Sequence, residues 1–216
     1  MLYYEERKLI IRTCLEMQEL GYFLCTWGNI SMRIGNHILL TPSKVNYNTM
    51  APEDLVVIAE DGTKIEGDRT PTSEKEVHRQ IYLRRKDVGA IIHAHTKYAM
   101  AASTQILAEV PCMVEEMSQY LGGSIPITKN YVPAEQHFKL GEIAGETIGE
   151  RNAVILRNHG PVTCGRNMEE AIIATKVCEK ACEIYAAARG SILPIPDVYA
   201  ASEHYRYFHT YGKENT

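Results

Sequence analysis

His93 and His95 stand two residues apart at the end of a short apolar run, Val88 to Ile92. On a strand, residues i and i+2 face the same way. The pair would therefore present two imidazoles side by side, a chelate for a transition metal. Catalytic zinc commonly takes three protein ligands and leaves a further position open. The third candidate is His159, in Arg157-Asn158-His159-Gly160, where a second apolar run from Ala153 to Leu156 ends. Glu74, in Pro71-Thr72-Ser73-Glu74, is the carboxylate expected to work beside such a metal.

Three polar turns precede or flank that strand: Gly28-Asn29-Ile30-Ser31, Thr41-Pro42-Ser43 and Pro71-Thr72-Ser73. Each offers hydroxyls and backbone N–H groups, and the last opens a helix, where the exposed N–H groups favour an anion. Beside a metal site, three such turns point to a phosphorylated substrate.

The elements that must hold these residues fit one domain, residues 1–216. The chain is 45% hydrophobic and 23% charged, enough for a sizeable core, and its net charge of -4 offers no nucleic-acid footprint. Arg84-Arg85-Lys86 is the longest basic cluster and is read as a solvated helix end. The start, Met1-Leu2-Tyr3-Tyr4-Glu5-Glu6, shows no secretory signal, and no apolar run is long enough to span a membrane. The cysteines lack paired spacing except Cys178 and Cys182, which share a helix face as core thiols, so the expected location is the cytoplasm.

Apolar spacing predicts helices over 3–20, 73–85, 97–103, 135–149 and 168–189, the last ending at Gly190. Ser73 with Glu76 is read as a capping box, and His78 falls on the polar side of its helix as a solvated residue. Strands are expected toward Ile34, at 37–40, 55–59, 63–66, 125–128, 153–156 and 162–164, with an extended segment at Cys112 to Val114. Short strands joined by hairpins and mixed with helices give an α/β fold in the broad sense (α+β type), with a central, mostly antiparallel sheet covered by helices. The aromatic tail after Leu193 is too apolar to stay in water and is expected to dock on a neighbouring subunit.

These motifs, in this order, resemble the class II aldolase superfamily that includes fuculose-phosphate aldolases, ribulose-phosphate 4-epimerases and the adducin head. The carriers are Gly28-Asn29-Ile30-Ser31, Thr41-Pro42-Ser43, Pro71-Thr72-Ser73-Glu74, His93-Ala94-His95 and Asn158-His159-Gly160. The likeness is nearest to the fuculose-phosphate aldolase branch and extends to Phe208-His209-Thr210-Tyr211-Gly212. It implies a homotetramer with sites at subunit interfaces and one zinc per subunit on His93, His95 and His159. It also implies a sugar phosphate held among Gly28, Asn29, Ser43, Lys44, Thr72 and Ser73, with Glu74 as acid/base and Tyr211 reaching in from a neighbouring chain. The expected reaction is zinc-dependent cleavage or formation of a carbon–carbon bond in a small phosphorylated ketose.

Two departures qualify the resemblance. The family usually carries glycine where Lys44 stands, so the lysine either adds charge to the phosphate or marks another anion. Glu116 stands where the aldolases place a tyrosine, and a glutamate there resembles a methylthioribulose-phosphate dehydratase. Glu115 and Glu116 are expected to alternate on a strand, with Glu116 facing the metal. An epimerase is the further alternative, although that branch tends to carry aspartate where Glu74 sits. The adducin branch lacks the metal histidines, which this chain keeps.

Overall fold

The computed structural model describes residues 1–189 and 192–211; Gly190 and Gly212, named above, lie outside the described residues. Seven strands form one sheet: β1 (Asn29–Ile34), β2 (His37–Leu40), β3 (Val56–Ala59), β4 (Lys64–Glu66), β5 (Ala90–His93), β8 (Ala153–Ile155) and β9 (Pro161–Gly165). Their order is β4-β3-β2-β1-β5-β9-β8, and every pairing is antiparallel. A separate two-stranded ribbon joins β6 (Glu109–Val110) to β7 (Ile125–Pro126). The expected extended segment at Cys112 to Val114 is not a strand.

Helices cover both faces of the sheet. Helices α2 (Lys75–Arg84) and α4 (His137–Ile148) pack Val77, Ile81, Leu140 and Ala144 against Ile38, Ile58, Ile91 and Val162. On the opposite face, α1 (Tyr4–Glu19) and α5 (Met168–Ala187) bury Ile10, Cys14, Met17 and Ala171 against Ile30, Leu39, Val57 and Ile92. The alternation along β5 is strict, Ile91 to one side and Ile92 to the other. Alternation then places His93 on the α2 side, beside Asn29, its register partner on β1.

Helix α3 (Lys97–Ser103) follows the histidine pair, and Glu179 of α5 caps it by accepting from Tyr98 N and Ala99 N at 2.8 and 2.9 Å. A carboxylate at a helix start satisfies orphan donors and favours the dipole. Cys178 and Cys182 are buried thiols among the apolar residues packed on this side, as their spacing implies.

The aromatic tail forms α6 (Asp197–His209), which packs on its own chain: His204 Nδ1 donates to Gln119 O at 2.6 Å, and the Tyr120 and Tyr207 hydroxyls meet at 2.9 Å. It leaves Val198, Tyr199 and Tyr205 exposed. Two local expectations fail for identifiable reasons. Arg85 is buried rather than solvated, because its guanidinium ties Gly149 O, Arg151 O, Asn152 Oδ1 and Asp87 together. The capping box does not form; Glu74 occupies the cap position of α2 with its carboxylate turned elsewhere, and Glu76 pairs with Arg79 at 2.8 Å.

Among the described residues no helix is long and apolar enough to cross a membrane.

Candidate active site

Three backbone devices bring the histidines together. Strand β5 delivers His93 fully buried, and the chain leaves the sheet at Ala94 with His95 partly exposed. Asn158 adopts a left-handed φ of 55° and turns the chain after β8, so that His159 folds back toward the pair. Gly160 then runs against the Ala94 carbonyl, where a Cβ would collide with the oxygen. Only glycine permits that approach, so the motif follows from the backbone contact.

The three rings form an edge-to-face cluster, with centroids 4.9 to 5.1 Å apart, and one ligand atom from each lies within 4.8 Å of the others. His93 Nδ1 donates to Pro161 O at 2.9 Å, which leaves the Nε2 lone pair facing the cluster. His95 Nε2 is 3.2 Å from that atom. Two nitrogens on one tetrahedral zinc would be about 3.3 Å apart, given Zn–N near 2.05 Å. Burial, opposed by Glu74 and aided by His159, pushes the His93 imidazole down. His95 is lowered to about 3, by burial first and then by His93 and His159. Neutral imidazoles in this arrangement are the state a metal requires, and the donor set fits one divalent ion.

Glu74 converges on the same point. Its Oε1 lies 3.1 Å from His159 Nε2 and its Oε2 3.3 Å from His93 Nε2. Burial opposes ionisation of Glu74. The electrostatic pull of His93 and His159, with hydrogen bonds from His159 and Asn29, outweighs it and leaves the carboxyl below the usual carboxylate range. Trp27, the chain's single tryptophan, stacks on His95 with ring centroids 6.3 Å apart.

A cavity of about 370 Å³ opens over this cluster, lined by Trp27, Gly28, Asn29, Ser43, Lys44, Thr72, Ser73, Glu74, His95 and His159. The Ser43 and Thr72 turns reach it together because they bridge at Pro42 and Pro71. That bridge consumes two N–H groups the sequence assigned to an anion: Ser43 N donates to Thr70 O at 2.9 Å and Thr72 N to Thr41 O at 3.0 Å. The hydroxyls of Ser43 and Ser73 and the Lys44 ammonium are among the polar groups that remain on the cavity wall for a ligand. Lys44 is exposed and holds a left-handed φ of 60°, a conformation glycine adopts without cost.

Glu116 and Tyr211 are not among the residues lining this cavity. Glu115 and Glu116 begin a helical turn that runs into a π-helical segment, Met117–Leu121, so they do not alternate as strand residues would. Glu116 bonds Lys180 of α5, and this bond holds its carboxyl below the ordinary range. Within its own chain it is therefore an ionised surface partner and no neutral proton donor. Tyr211 is exposed and stacks on Tyr207 at 5.3 Å. His78, read as solvated, is fully buried and bonded to Asn29 at 2.5 Å. Its i+4 distance from Glu74 was the available signal.

Comparison with known proteins matches residues 8–186 to the family described as Class II Aldolase and Adducin N-terminal domain. The chain belongs to that family. Among curated class II aldolase relatives, the L-ribulose-5-phosphate 4-epimerase UlaF of Salmonella paratyphi C is 29% identical over 205 residues, covering 88% of this chain and 89% of its own. The solved structure of an L-fuculose 1-phosphate aldolase superposes with a TM-score of 0.89 at 25% identity, over 96% of this chain and 98% of that one. That of the l-fuculose-1-phosphate aldolase from Thermus thermophilus gives 0.71 at 26% identity, over 86% and 96%. The expected family and fold, a helix-covered antiparallel sheet, hold. The relatives divide between a carbon–carbon lyase and an epimerase, so kinship establishes the class II aldolase family, and the reaction must be argued from the site.

Proposed function

We propose that this chain is a metal-dependent enzyme that cleaves or forms the carbon–carbon bond of a small phosphorylated ketose. One observation carries the reading: the Glu74 carboxylate lies 3.1 and 3.3 Å from two imidazoles of a three-histidine cluster at the mouth of a cavity. His93, His95 and His159 would hold the metal, for which zinc fits the donor set. When bound, it would supply a Lewis acid to polarise the substrate carbonyl. Glu74 carries the proton. In the synthetic direction its ionised carboxylate removes hydrogen from the carbon beside the carbonyl, and in cleavage the same group returns it.

The phosphate is assigned to Gly28, Asn29, Ser43, Lys44, Thr72 and Ser73, with Lys44 as its charge partner. Lys44→Gly is expected to relieve about 1 kcal/mol of backbone strain. It should also raise KM for a phosphorylated substrate about tenfold while kcat stays near its original value. Steady-state kinetics with thermal melting check both; an unchanged KM would remove Lys44 from the phosphate site.

A second reading keeps the same bond cleavage and is favoured by the epimerase relatives at 29% identity. In a ribulose 5-phosphate, C4 is not adjacent to the carbonyl, so its hydrogen is not acidic. Inversion there is reached by breaking the C3–C4 bond and rejoining it on the other face. Glu116 and Tyr211 would take part only from a second copy of the chain, as the proposed tetramer allows. The dehydratase reading, which needs Glu116 as a neutral acid, has no support from its pairing with Lys180.

The deciding experiment incubates zinc-loaded protein with ketose 1-phosphates and ribulose 5-phosphate. Release of dihydroxyacetone phosphate is the expected result. A C4 epimer of ribulose 5-phosphate without free dihydroxyacetone or glycolaldehyde phosphate selects the second reading, and a dehydrated diketone the third.

A further inference from the structure

Behind Glu74 runs a line of polar side chains that, apart from Asn29, the proposed chemistry does not itself use. Glu74, His78 and Tyr82 are spaced by four, along one edge of α2, while Asn29, Ser31 and Arg33 alternate along β1. Four helical residues rise about 6 Å and two strand residues about 6.6 Å, so the two sets match rung for rung. Asn29 Nδ2 donates to Glu74 Oε2 at 2.7 Å. His78 Nε2 meets Asn29 Oδ1 at 2.5 Å, and His78 Nδ1 meets Ser31 Oγ at 2.7 Å. Ser31 Oγ in turn meets the Tyr82 hydroxyl at 2.9 Å. All five residues are buried, with His78, Ser31 and Tyr82 at 0% exposure.

The direction of every bond in this line is determined. An ionised carboxylate only accepts, so the Asn29 amide must turn its NH2 toward Glu74 and its oxygen toward His78. That oxygen only accepts, so His78 carries its hydrogen on Nε2. Burial, with His93 adding to it, lowers the His78 imidazole to about 3, so the ring is neutral and Nδ1 is bare. Ser31 must then donate to Nδ1 and accept from Tyr82. The far end is closed: the Arg33 guanidinium lies 4.6 Å over the Tyr82 ring and donates to the carbonyls of Tyr82 and Arg85. A side-chain amide in the middle and no outlet to solvent exclude a proton wire. What remains is orientation.

We propose that His78 is a positioning residue: by fixing the Asn29 amide with its NH2 toward Glu74, it sets the angle at which the carboxylate faces the substrate cavity. This rests on the reading of Glu74 as the group that moves the proton. It also makes Asn29 a part of the catalytic support, with one amide hydrogen left for a phosphate. An incorrectly turned amide would place oxygen against carboxylate, and His78 is the only side chain bonded to Asn29 Oδ1 among the described residues.

The test has two arms. In zinc-loaded protein labelled with 15N-histidine, long-range imidazole correlations read the His78 tautomer directly, with His78→Gln supplying the assignment. Hydrogen on Nε2 and a bare Nδ1 are expected; the other tautomer or a charged ring overturns the proposal. In the second arm, His78→Leu should lower kcat by 10- to 100-fold, the usual range for a residue supporting a metal-site side chain. Its KM should stay within about threefold and its zinc content intact. His78→Gln keeps one donor for Asn29 and one acceptor for Ser31 and should recover kcat to within about threefold of the original. Equal losses in both variants, or full turnover in a folded His78→Leu protein, would overturn the role. Failure of the underlying reading looks different: an active Glu74→Gln enzyme would unseat Glu74 while leaving the tautomer as stated.

Discussion

Adding zinc to the metal-free protein is expected to raise its unfolding temperature, and alanine at His93, His95 or His159 should abolish both that rise and stoichiometric metal. The three imidazoles are already gathered, with one bond, His93 Nδ1 to Pro161 O, fixing which nitrogen faces inward. A ligand that binds only the folded state stabilises it by mass action, about 4 kcal/mol at a thousand times its dissociation constant. Losing one of three ligands removes most of that affinity. Trp27 offers a second readout, because the single indole stacks on the His95 ring and its emission should change as metal binds. Elemental analysis decides the ligand set: full zinc content in His159→Ala would exclude His159. His93→Ala carries an added risk to folding, since its ring is fully buried; the partly exposed His95 and His159 are the cleaner positions.

How much of this site was legible in the sequence depended on the range of the signal. His93 and His95 share a strand side, and that period is local, so their pairing could be read directly. His159 and Glu74 were placed by type and neighbouring turn, and the fold brings both within hydrogen-bond reach of the cluster. The hairpin of β1 and β2 and the helix at Lys97–Ser103 were likewise visible, because turn residues and apolar spacing mark them. What failed was burial of polar groups. His78 looks solvated on α2 alone, since its partners Asn29 and Ser31 lie 49 and 47 positions away on β1. Arg85 looks like a basic helix end until Gly149, Arg151 and Asn152 supply the oxygens that hold it. Glu115 and Glu116 suggested an alternating strand, but the chain turns helical there and Lys180, 64 residues on, captures Glu116. Each of these three errors concerns a polar side chain whose partner is remote in sequence, and no periodicity reports such a partner.

Glu74→Gln is expected to keep the fold and the metal yet lose about two to four orders of magnitude in turnover, the range for removal of a general acid/base. The glutamine has nearly the same shape, so it can still accept from Asn29 at the position Oε2 holds. Its other end would carry NH2 where Oε1 now faces His159 Nε2, and no proton can be taken up there. A merely structural Glu74 would behave otherwise: the amide would alter melting and metal content while turnover followed the fraction of metal retained. Glu74→Asp separates charge from reach. It preserves the carboxylate but draws it back by one methylene from His93 and His159, so an intermediate loss, roughly tenfold to a hundredfold, is expected if orientation matters. A Glu74→Gln protein with full zinc and more than a tenth of the original kcat would show that another group moves the proton. The carboxylate would then serve only to balance the charge of the metal centre.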